Sequence, residues 1–323
     1  MRFGTVTLIG RTNVGKSTFL NWALGERLAI TSPLPQTTRD ALLGILTRPD
    51  AQLAFLDTPG LHQPRTELGR RMNVSAYDSL TRADVVVMLT DIDPKSKAEM
   101  AKARYIPGAP AADALRAGDR EILTEIARYE QARKVLLVNK VDRVRDKNQL
   151  LPMLEAYQAA LPFDAIVPMS VLRNTNLDVA LGEISQLLPE APAGYEADTL
   201  TNRPVLFFVR EFVREAILNQ LGREVPHAVA VTIDRAEDAK QIFRVQATIH
   251  VEKTGQRKIV VGEGGSRIKA IGTAARLRLE EMLEKKVYLE LFVRISPLWK
   301  DTPRKLKELG YDETGVGPEG EQS

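Results

Sequence analysis

The chain has 323 residues, of which 44% are hydrophobic, 27% charged and 6% aromatic, a composition typical of a globular protein with about two domains. It contains no cysteine, which excludes a disulfide scaffold, a thiolate metal site and a cysteine nucleophile. Apolar runs such as residues 85–89 are far shorter than the roughly 20 residues of a membrane-spanning helix, and the first residues lack a signal-peptide pattern. These features predict a cytoplasmic protein.

The formal net charge of +3 is distributed unevenly along the chain. Residues 1–202 are neutral, residues 203–311 carry 21 Lys and Arg against 14 Asp and Glu, and residues 312–323 carry four acids and no base. The basic excess favours a polyanionic partner such as nucleic acid, with a solvated basic face as the alternative. The last twelve residues are too polar to pack, which predicts a disordered tail at 312–323.

The first 190 residues alternate short β-branched runs with helical patterns. Strands are predicted at residues 3–9, 41–47, 52–56, 85–90, 134–138 and 165–168. Helices are predicted near residues 16–24, 119–131, 147–160 and 175–187. This alternation predicts an α/β domain with a mostly parallel, doubly wound sheet over residues 1–188.

Two segments interrupt this alternation. Residues 95–118 are rich in Ala, Gly and Pro and predict a long loop or a partly helical excursion of unknown role. Residues 189–204 combine prolines with acids and small residues, which is the composition of a linker. We therefore place the domain boundary in this linker.

Residues 205–311 have a different order of elements and form a second, α+β fold rather than an internal repeat. The pattern predicts a helix at 205–220, strands at 227–234 and 241–251, a glycine-rich turn, a long helix at 266–285 and a strand at 287–294.

A phosphate-binding loop is indicated at residues 10–17, where G-R-T-N-V-G-K-S matches G-x-x-x-x-G-K-[ST] between a predicted strand and helix. In such a loop, backbone N–H groups surround the phosphates, Lys16 reaches the outer phosphates and Ser17 supplies an oxygen to Mg²⁺. The alternative is a glycine-rich turn that only joins strand to helix. The nucleotide contacts expected here come from Gly10, Asn13, Val14, Gly15, Lys16, Ser17 and Thr18.

The identity of the base is indicated by N-K-V-D at residues 139–142, at the end of a predicted strand. The carboxylate of Asp142 can accept from both the ring N–H and the exocyclic amine of guanine, whereas adenine offers no such pair of donors. Asn139, Lys140 and Asp142 are therefore expected to select GTP, and a surface turn is the alternative. Ser170 and Val171 are expected to pack their loop against the guanine edge.

Two further segments complete a nucleotide site. In D-T-P-G at residues 57–60, Asp57 is expected to hold Mg²⁺ through water, and the backbone N–H of Gly60 is expected to sense the γ-phosphate. In P-Q-T-T-R-D at residues 35–40, Thr38 is favoured over Thr37 as the hydroxyl that closes over Mg²⁺.

Together these motifs resemble the translation-factor-related class of P-loop GTPases and, within it, the Era family, and the resemblance extends to Tyr311. It implies a hydrolase that converts GTP to GDP and phosphate with magnesium, with Lys16, Asn13, Thr38 and Gly60 as the catalytic residues. Two features depart from the family pattern: Val171 and Asn174 follow Ser170 where alanine and glycine are usual, and the segment at 95–118 is unusually long.

The resemblance also implies a potassium site. Leu61 occupies the position of a water-orienting glutamine in other GTPases, and leucine cannot form a side-chain hydrogen bond. Relatives use the residue at Asn13 to hold K⁺ beside the phosphates, where the cation stabilises charge between the β- and γ-phosphates. The alternative is that Asn13 is only a turn residue.

The second domain contains a candidate RNA-binding loop, G-E-G-G at residues 262–265, which fits the G-x-x-G loop of KH domains. Its surroundings resemble the type II KH domain of the Era family. The residues expected to contact RNA are Gly262, Glu263, Gly264, Gly265, Arg257, Lys258, Arg267 and Lys269, with Arg276 and Arg278 nearby. Glu263 should weaken phosphate binding unless it points to solvent or pairs with Arg267.

The resemblance implies a monomeric switch that binds the 3′ end of small-subunit ribosomal RNA during assembly of the 30S particle, with no DNA partner. One alternative is a signalling GTPase that binds the inner face of the cell membrane peripherally through its basic domain. The other is a tRNA-modification GTPase, which the absence of a cysteine-bearing tail disfavours.

Overall fold

The computed structural model describes residues 1–92, 115, 117–221 and 225–311. The tail at 312–323 and nearly all of the segment at 95–118 lie outside these residues. The chain divides into two compact units. The first comprises Met1–Ala29, Ala41–Gln63 and Met72–Asn202, and the second comprises Ile30–Asp40, Pro64–Arg71 and Arg203–Ser323.

The first unit contains a six-stranded sheet in the order β2-β3-β1-β4-β5-β6, in which only β2 runs antiparallel to its neighbour. The strands are β1 (Arg2–Gly10), β2 (Leu42–Thr47), β3 (Ala51–Asp57), β4 (Val85–Asp91), β5 (Arg133–Asn139) and β6 (Ala165–Pro168). This order confirms the mostly parallel α/β sheet expected from the sequence.

Helices separate most of these strands along the chain, as right-handed crossovers between parallel strands require. They are α1 (Lys16–Leu24), α2 (Glu67–Asp78), α3 (Ala117–Ile126), α4 (Leu151–Ala160) and α5 (Leu177–Leu187). The predicted helix at 119–131 ends earlier, because the chain must reach Arg133, which pairs with Val85 in the sheet. Helix α2 was not predicted from the sequence, because its apolar residues are sparse.

The sheet core explains where the motifs meet. Val6, Leu8 and Ile9 on β1 and residues 85–89 on β4 are fully buried, as expected for central strands covered on both faces. The carboxyl ends of β1, β3 and β5 lead directly into the phosphate loop, Asp57 and Asn139. Ligands of open α/β sheets bind at this edge.

Residues of the expected linker bond to the first unit. The backbone N–H of Phe3 donates to Pro189 O at 3.1 Å, and that of Ile45 donates to Leu200 O at 2.8 Å. Between these points, the side chain of Gln52 donates to Tyr195 O at 2.9 Å.

The second unit contains a three-stranded sheet in the order β7-β8-β9, with β7 antiparallel and β9 parallel to β8. Its elements are α6 (Val205–Gln220), β7 (Ala230–Asp238), β8 (Ile242–Val251), α7 (Thr254–Val261), α8 (Ser266–Leu283), β9 (Lys286–Ile295) and α9 (Pro303–Glu308). Helix–strand–strand–helix–helix–strand is the order expected for a type II KH fold. Among the described residues, no helix is long and apolar enough to cross a membrane.

Candidate functional site

The backbone of the phosphate loop has positive φ angles at Asn13 and Gly15, which glycine and asparagine adopt more easily than other residues. Gly15 has φ 109°, and a Cβ at this position would overlap Nδ2 of Asn139. Asn13 has φ 62°, a left-handed conformation that asparagine tolerates better than most residues. The strand-to-helix turn therefore requires glycine at residue 15 for conformational and steric reasons.

The side chain of Lys16 folds back onto the phosphate loop. Its Nζ donates to Gly10 O at 3.0 Å and to Arg11 O at 3.1 Å, and the side chain is almost completely buried. Burial lowers the pKa of Lys16 to about 8, although the nearby carboxylate of Asp57 acts against this shift. The ammonium is thus held close to the loop amides that would surround a phosphate chain.

A hydroxyl and a carboxylate meet at the end of β3. Ser17 Oγ donates to Asp57 Oδ2 at 2.6 Å, and Asp57 is completely buried. Oxygen ligands of this kind suit Mg²⁺, which is bound in phosphate sites by one or two protein oxygens and by the phosphates themselves. The two side chains therefore fit a magnesium ion next to the phosphate loop.

Gly60 and Leu61 continue from Asp57 along the same edge. A Cβ on Gly60 would lie 2.7 Å from Thr12 Cα, so the phosphate loop approaches this backbone too closely for any other residue. The backbone N–H of Leu61 donates to Gly10 O at 3.1 Å, while its side chain is buried in the core. Leu61 is consequently unable to position a water molecule.

Asn139 connects the expected base loops to the phosphate loop. Its Nδ2 donates to Val14 O at 2.8 Å, and its Oδ1 accepts from the backbone N–H groups of Lys140 at 2.7 Å and Val171 at 3.2 Å. One side chain therefore fixes the relative positions of three loops that lie far apart in sequence.

The other base-loop residues are also in contact. Lys140 Nζ donates to Asn13 O at 2.7 Å and to Asp91 at 2.5 Å. Ser170 Oγ donates to Asp142 at 2.5 Å, and Asp142 is exposed. The structure thus brings together the predicted residues at 10–18, 57–60, 139–142 and 170–171 within the first unit.

Thr38 belongs to the segment Ile30–Asp40 of the second unit. Its neighbours are anchored there: Thr37 O accepts from Arg214 at 2.8 Å, and Arg39 donates to Val229 O at 2.6 Å. The Arg39 guanidinium is buried over the ring of Trp299 at 5.6 Å. Burial lowers the pKa of Arg39.

In the second unit, the G-E-G-G loop joins α7 to α8. Gly262, Gly264 and Gly265 have φ values of 72°, 56° and 79°, and a Cβ on Gly262 would lie 2.8 Å from Arg267 Cγ. The left-handed Gly265 is followed by the right-handed Ser266, with φ −60°, at the start of α8. Such a pair of residues at a helix N-terminus can form a concavity of backbone N–H groups that binds anions.

The charged residues in and around this loop fall into two groups. Arg257, Lys258, Arg267 and Lys269 are exposed. Arg276 and Arg278 instead form ion pairs with Glu280 and Glu281, at 2.8 and 2.7 Å. Glu263 is exposed and does not pair with Arg267, whose Nη1 donates to Ile259 O at 3.2 Å.

Comparisons with known proteins agree with this division. Residues 5–140 match the family model described as a 50S ribosome-binding GTPase, and residues 224–300 match that of a KH domain. A GTPase Era from Lacticaseibacillus paracasei is 39% identical over 96% of this chain and 96% of its own length. The chain belongs to the Era family of GTPases. A second Era, from Xanthomonas oryzae pv. oryzae, is 39% identical over 96% and 97% of the two chains.

A solved Era structure has the same fold over both units. It is a complex with MgGDPNP and nucleotides 1506–1542 of 16S ribosomal RNA, and it matches with a TM-score of 0.85 at 32% identity, over 96% of this chain and 99% of that chain. The expectations of a GTP-hydrolysing enzyme, a guanine nucleotide and a P-loop domain followed by a KH domain are confirmed.

One buried polar network of this Era-family GTPase was not predicted from the sequence. Arg11 in the phosphate loop donates to Asp91 at 2.9 Å and to Asp119 at 2.8 Å. The fully buried Asp119 also accepts from Thr90 at 2.9 Å and from Tyr157 at 2.6 Å. Burial and Asp119 together raise the pKa of Tyr157. The only available sequence signal was the arginine of the G-R-T-N-V-G-K-S motif.

Proposed function

We propose that this GTPase is a switch that binds the 3′ end of small-subunit ribosomal RNA and assists assembly of the 30S particle. The observation that carries the proposal is the G-E-G-G loop, whose left-handed glycines lie at the entry of α8 beside exposed cations. It is supported by the Era relative whose complex contains nucleotides 1506–1542 of 16S ribosomal RNA.

In the proposed nucleotide site, Lys16 neutralises the outer phosphates and the N–H groups of the phosphate loop surround them. Asp142 accepts from the two donors of guanine, Asn139 keeps the loops in register, and Ser170 with Val171 closes the base pocket. The hydrogen bonds that join Asn139 to Val14 and Ser170 to Asp142 support this assignment.

Magnesium in this proposal is held by Ser17 directly and by Asp57 through water. The 2.6 Å hydrogen bond from Ser17 to Asp57 supports this assignment, because it brings the two side chains together. When bound, the ion neutralises charge on the β- and γ-phosphates. Gly60 senses the γ-phosphate through its backbone N–H.

Potassium is the proposed second cation. Leu61 is buried and cannot orient water, so another group must stabilise the transition-state charge. The side chain of Asn13, in the loop between Gly10 and Lys16, is the proposed protein ligand for K⁺.

In the KH domain, Gly262, Gly264 and Gly265 are proposed to receive the RNA backbone, and Arg257, Lys258, Arg267 and Lys269 to pair with its phosphates. Arg276 and Arg278 contribute less, because their guanidinium groups are already paired. The proposed setting is a monomer that binds the 30S particle in the cytoplasm.

Binding of labelled RNA to the full chain tests this function. The probe is an oligonucleotide with the sequence of the 3′ end of small-subunit ribosomal RNA, compared with a scrambled oligonucleotide of equal composition. We expect tighter binding of the native sequence, and a different affinity when GDP replaces a non-hydrolysable GTP analogue. Equal affinity for both oligonucleotides in both nucleotide states would refute the proposal, and preferential binding to anionic vesicles would favour the membrane alternative.

A further inference from the structure

The sheet of the KH domain has one face that the helices do not cover. Val245, Ala247 and Ile249 of β8 are buried on the helix side. Side chains alternate along a strand, so the intervening residues lie on the opposite side. We call the exposed part of this opposite side the open face; it comprises Lys286, Tyr288, Glu290, Phe292 and Arg294 on β9 and Arg244 and Gln246 on β8. Thr248 and His250 on the same side of β8 are buried.

Two large aromatic side chains project from the open face. Tyr288 is 53% exposed and Phe292 is 47% exposed, and both belong to β9, four residues apart. By contrast, Phe243 on the helix side of the same sheet is 5% exposed. The solvent side of an antiparallel or mixed sheet ordinarily carries polar residues, so paired aromatics there are a typical sign of an interaction surface.

Exposed cations surround these rings. Arg244 is the cross-strand partner of Tyr288, and Lys286 and Arg294 lie on the same face of β9. The acid between the rings, Glu290, accepts a 2.7 Å hydrogen bond from Gln246. This part of the open face therefore combines aromatic rings with positive charge, as surfaces that bind single-stranded nucleic acid do.

The β7 part of the open face is more balanced in charge. Arg235 and Glu237 lie there, and Asp234 accepts from Thr248 at 2.6 Å. The excess of cations is thus confined to the β8–β9 part, where both aromatic rings lie.

The open face and the proposed RNA clamp share one strand, β9. Both α7 and α8, which the G-E-G-G loop joins, contact β9, and β9 is an edge strand. The strand that carries Tyr288 and Phe292 therefore packs against both helices that flank the G-E-G-G loop.

We propose that the open face is a second contact surface for single-stranded RNA, on which separate bases stack on Tyr288 and Phe292. The two residues are about 13 Å apart along the strand, too far for one base to contact both. Arg244, Lys286 and Arg294 pair with the phosphates between or beside these bases. This inference rests on the proposed RNA-binding function and extends the contacted RNA beyond the clamp.

The test compares RNA lengths in the full-length protein. One oligonucleotide has about four nucleotides, the length that a KH loop holds, and the other has about twelve, enough to reach a second surface. Tyr288→Leu and Phe292→Leu remove the rings but keep apolar side chains. We expect each substitution to lower the affinity for the long RNA roughly tenfold and to leave the affinity for the short RNA unchanged. Tyr288→Phe and Phe292→Tyr keep the rings and should bind like the wild type.

Salt dependence provides a second readout. The leucine variants remove no charge, so the slope of affinity against salt should stay unchanged, whereas Arg294→Gln should make it shallower for the long RNA alone. Thermal unfolding of each variant establishes that the domain remains folded.

Two results overturn the inference while leaving the proposed function intact. One is wild-type affinity of both leucine variants for the long RNA, which is also the expected result when a protein partner covers the open face. The other is an equal loss of affinity for the long and the short RNA, which indicates damage to the G-E-G-G loop. Failure of the wild-type chain to bind either RNA would overturn the proposed function itself, and the inference with it.

Discussion

The hydroxyl of Ser170 donates a 2.5 Å hydrogen bond to the carboxylate of Asp142, 28 positions away. The backbone N–H of Arg173 donates to the same hydroxyl at 3.2 Å, so the serine is fixed by its own loop. The contact orients a carboxylate whose chemistry allows it to accept two hydrogen bonds from guanine.

Asp142→Asn should exchange the base preference of the site. The amide offers a donor where the carboxylate had only acceptors, so it loses one guanine contact and gains a contact to the extra carbonyl of xanthine. We expect GTP affinity to fall by about a hundredfold and xanthosine triphosphate affinity to rise. Equilibrium titration of both nucleotides measures the change, and unaltered GTP binding would remove the guanine assignment.

Lys16→Ala is the matched control for base selection. It removes a contact to the phosphates, which the two nucleotides share, so both affinities should fall together. A selective loss of only one nucleotide in this variant would contradict the assigned role of Lys16.

The network around Asp119 should stabilise the first unit. Asp119→Ala leaves Arg11, Thr90 and Tyr157 without their shared acceptor inside the protein. Breaking a buried ion pair in this way is expected to lower the free energy of unfolding by about 3 kcal/mol. Urea unfolding followed by circular dichroism measures the loss in the full chain.

Tyr157→Phe provides the graded comparison. It removes a single donor to Asp119 and should cost about 1 kcal/mol, because the ion pair with Arg11 remains. If the two variants unfold at the same urea concentration, the ion pair contributes nothing and the network is only a set of neighbours.

Contiguous motifs were predictable because each is a short run with its own chemistry. The phosphate loop, the N-K-V-D loop and the G-E-G-G loop all lie where strand or helix patterns placed them. The buried strands were also predictable, since their apolar runs match a parallel sheet.

Contacts between distant residues of ordinary type were not predictable. Arg11 and Asp119 are 108 positions apart, and neither residue type is unusual for its location. The inclusion of Ile30–Asp40 in the second unit depends on the buried Arg39, whose partner Val229 is 190 positions away. Helix α2 was not predicted because its buried apolar side chains are only Leu68, Met72 and Ala76, and the polar Arg71 and Ser75 are buried with them.

Potassium should accelerate GTP hydrolysis relative to sodium. Leu61 cannot orient water, and a cation beside the β- and γ-phosphates replaces the missing positive charge. We expect about a tenfold higher turnover rate in potassium chloride than in sodium chloride at equal ionic strength. Phosphate release measures the rate, and equal rates in the two salts count against a potassium site.

Asn13 is the residue that should create this difference. Asn13→Gly is a sharper variant than Asn13→Ala, because glycine adopts the observed φ of 62° without strain. Each variant should hydrolyse GTP equally slowly in potassium chloride and in sodium chloride. Persistent potassium stimulation in Asn13→Gly would mean that the side chain is not a ligand.

Glu263 should limit RNA affinity in the KH domain. Its carboxylate is exposed in a loop of backbone N–H groups that favours anions, and Arg267 does not neutralise it. Glu263→Lys changes the local charge by two units, so we expect about tenfold tighter binding of single-stranded RNA at low salt and a steeper loss as salt rises. Glu263→Gln should give an intermediate affinity.

The glycines of the same loop allow size and charge to be separated. Gly265 has φ 79°, and a Cβ added at this position would have no neighbouring atom within 4 Å, so asparagine, which tolerates this conformation, fits without a clash. Gly265→Asp has the same shape and adds a negative charge. RNA should therefore bind more weakly to Gly265→Asp than to Gly265→Asn, and the difference should shrink at high salt.

Gly262→Asp should weaken RNA binding further, because its Cβ would also meet Arg267 at 2.8 Å and displace a phosphate ligand. GTP affinity should be unchanged in every one of these variants, since their positions lie outside the unit that contains the phosphate loop. Titrations of RNA at two salt concentrations and of GTP at one are sufficient. If both aspartate variants bind RNA like the wild type, the loop does not hold the RNA backbone, and the polyanion that the basic domain binds must contact other cations.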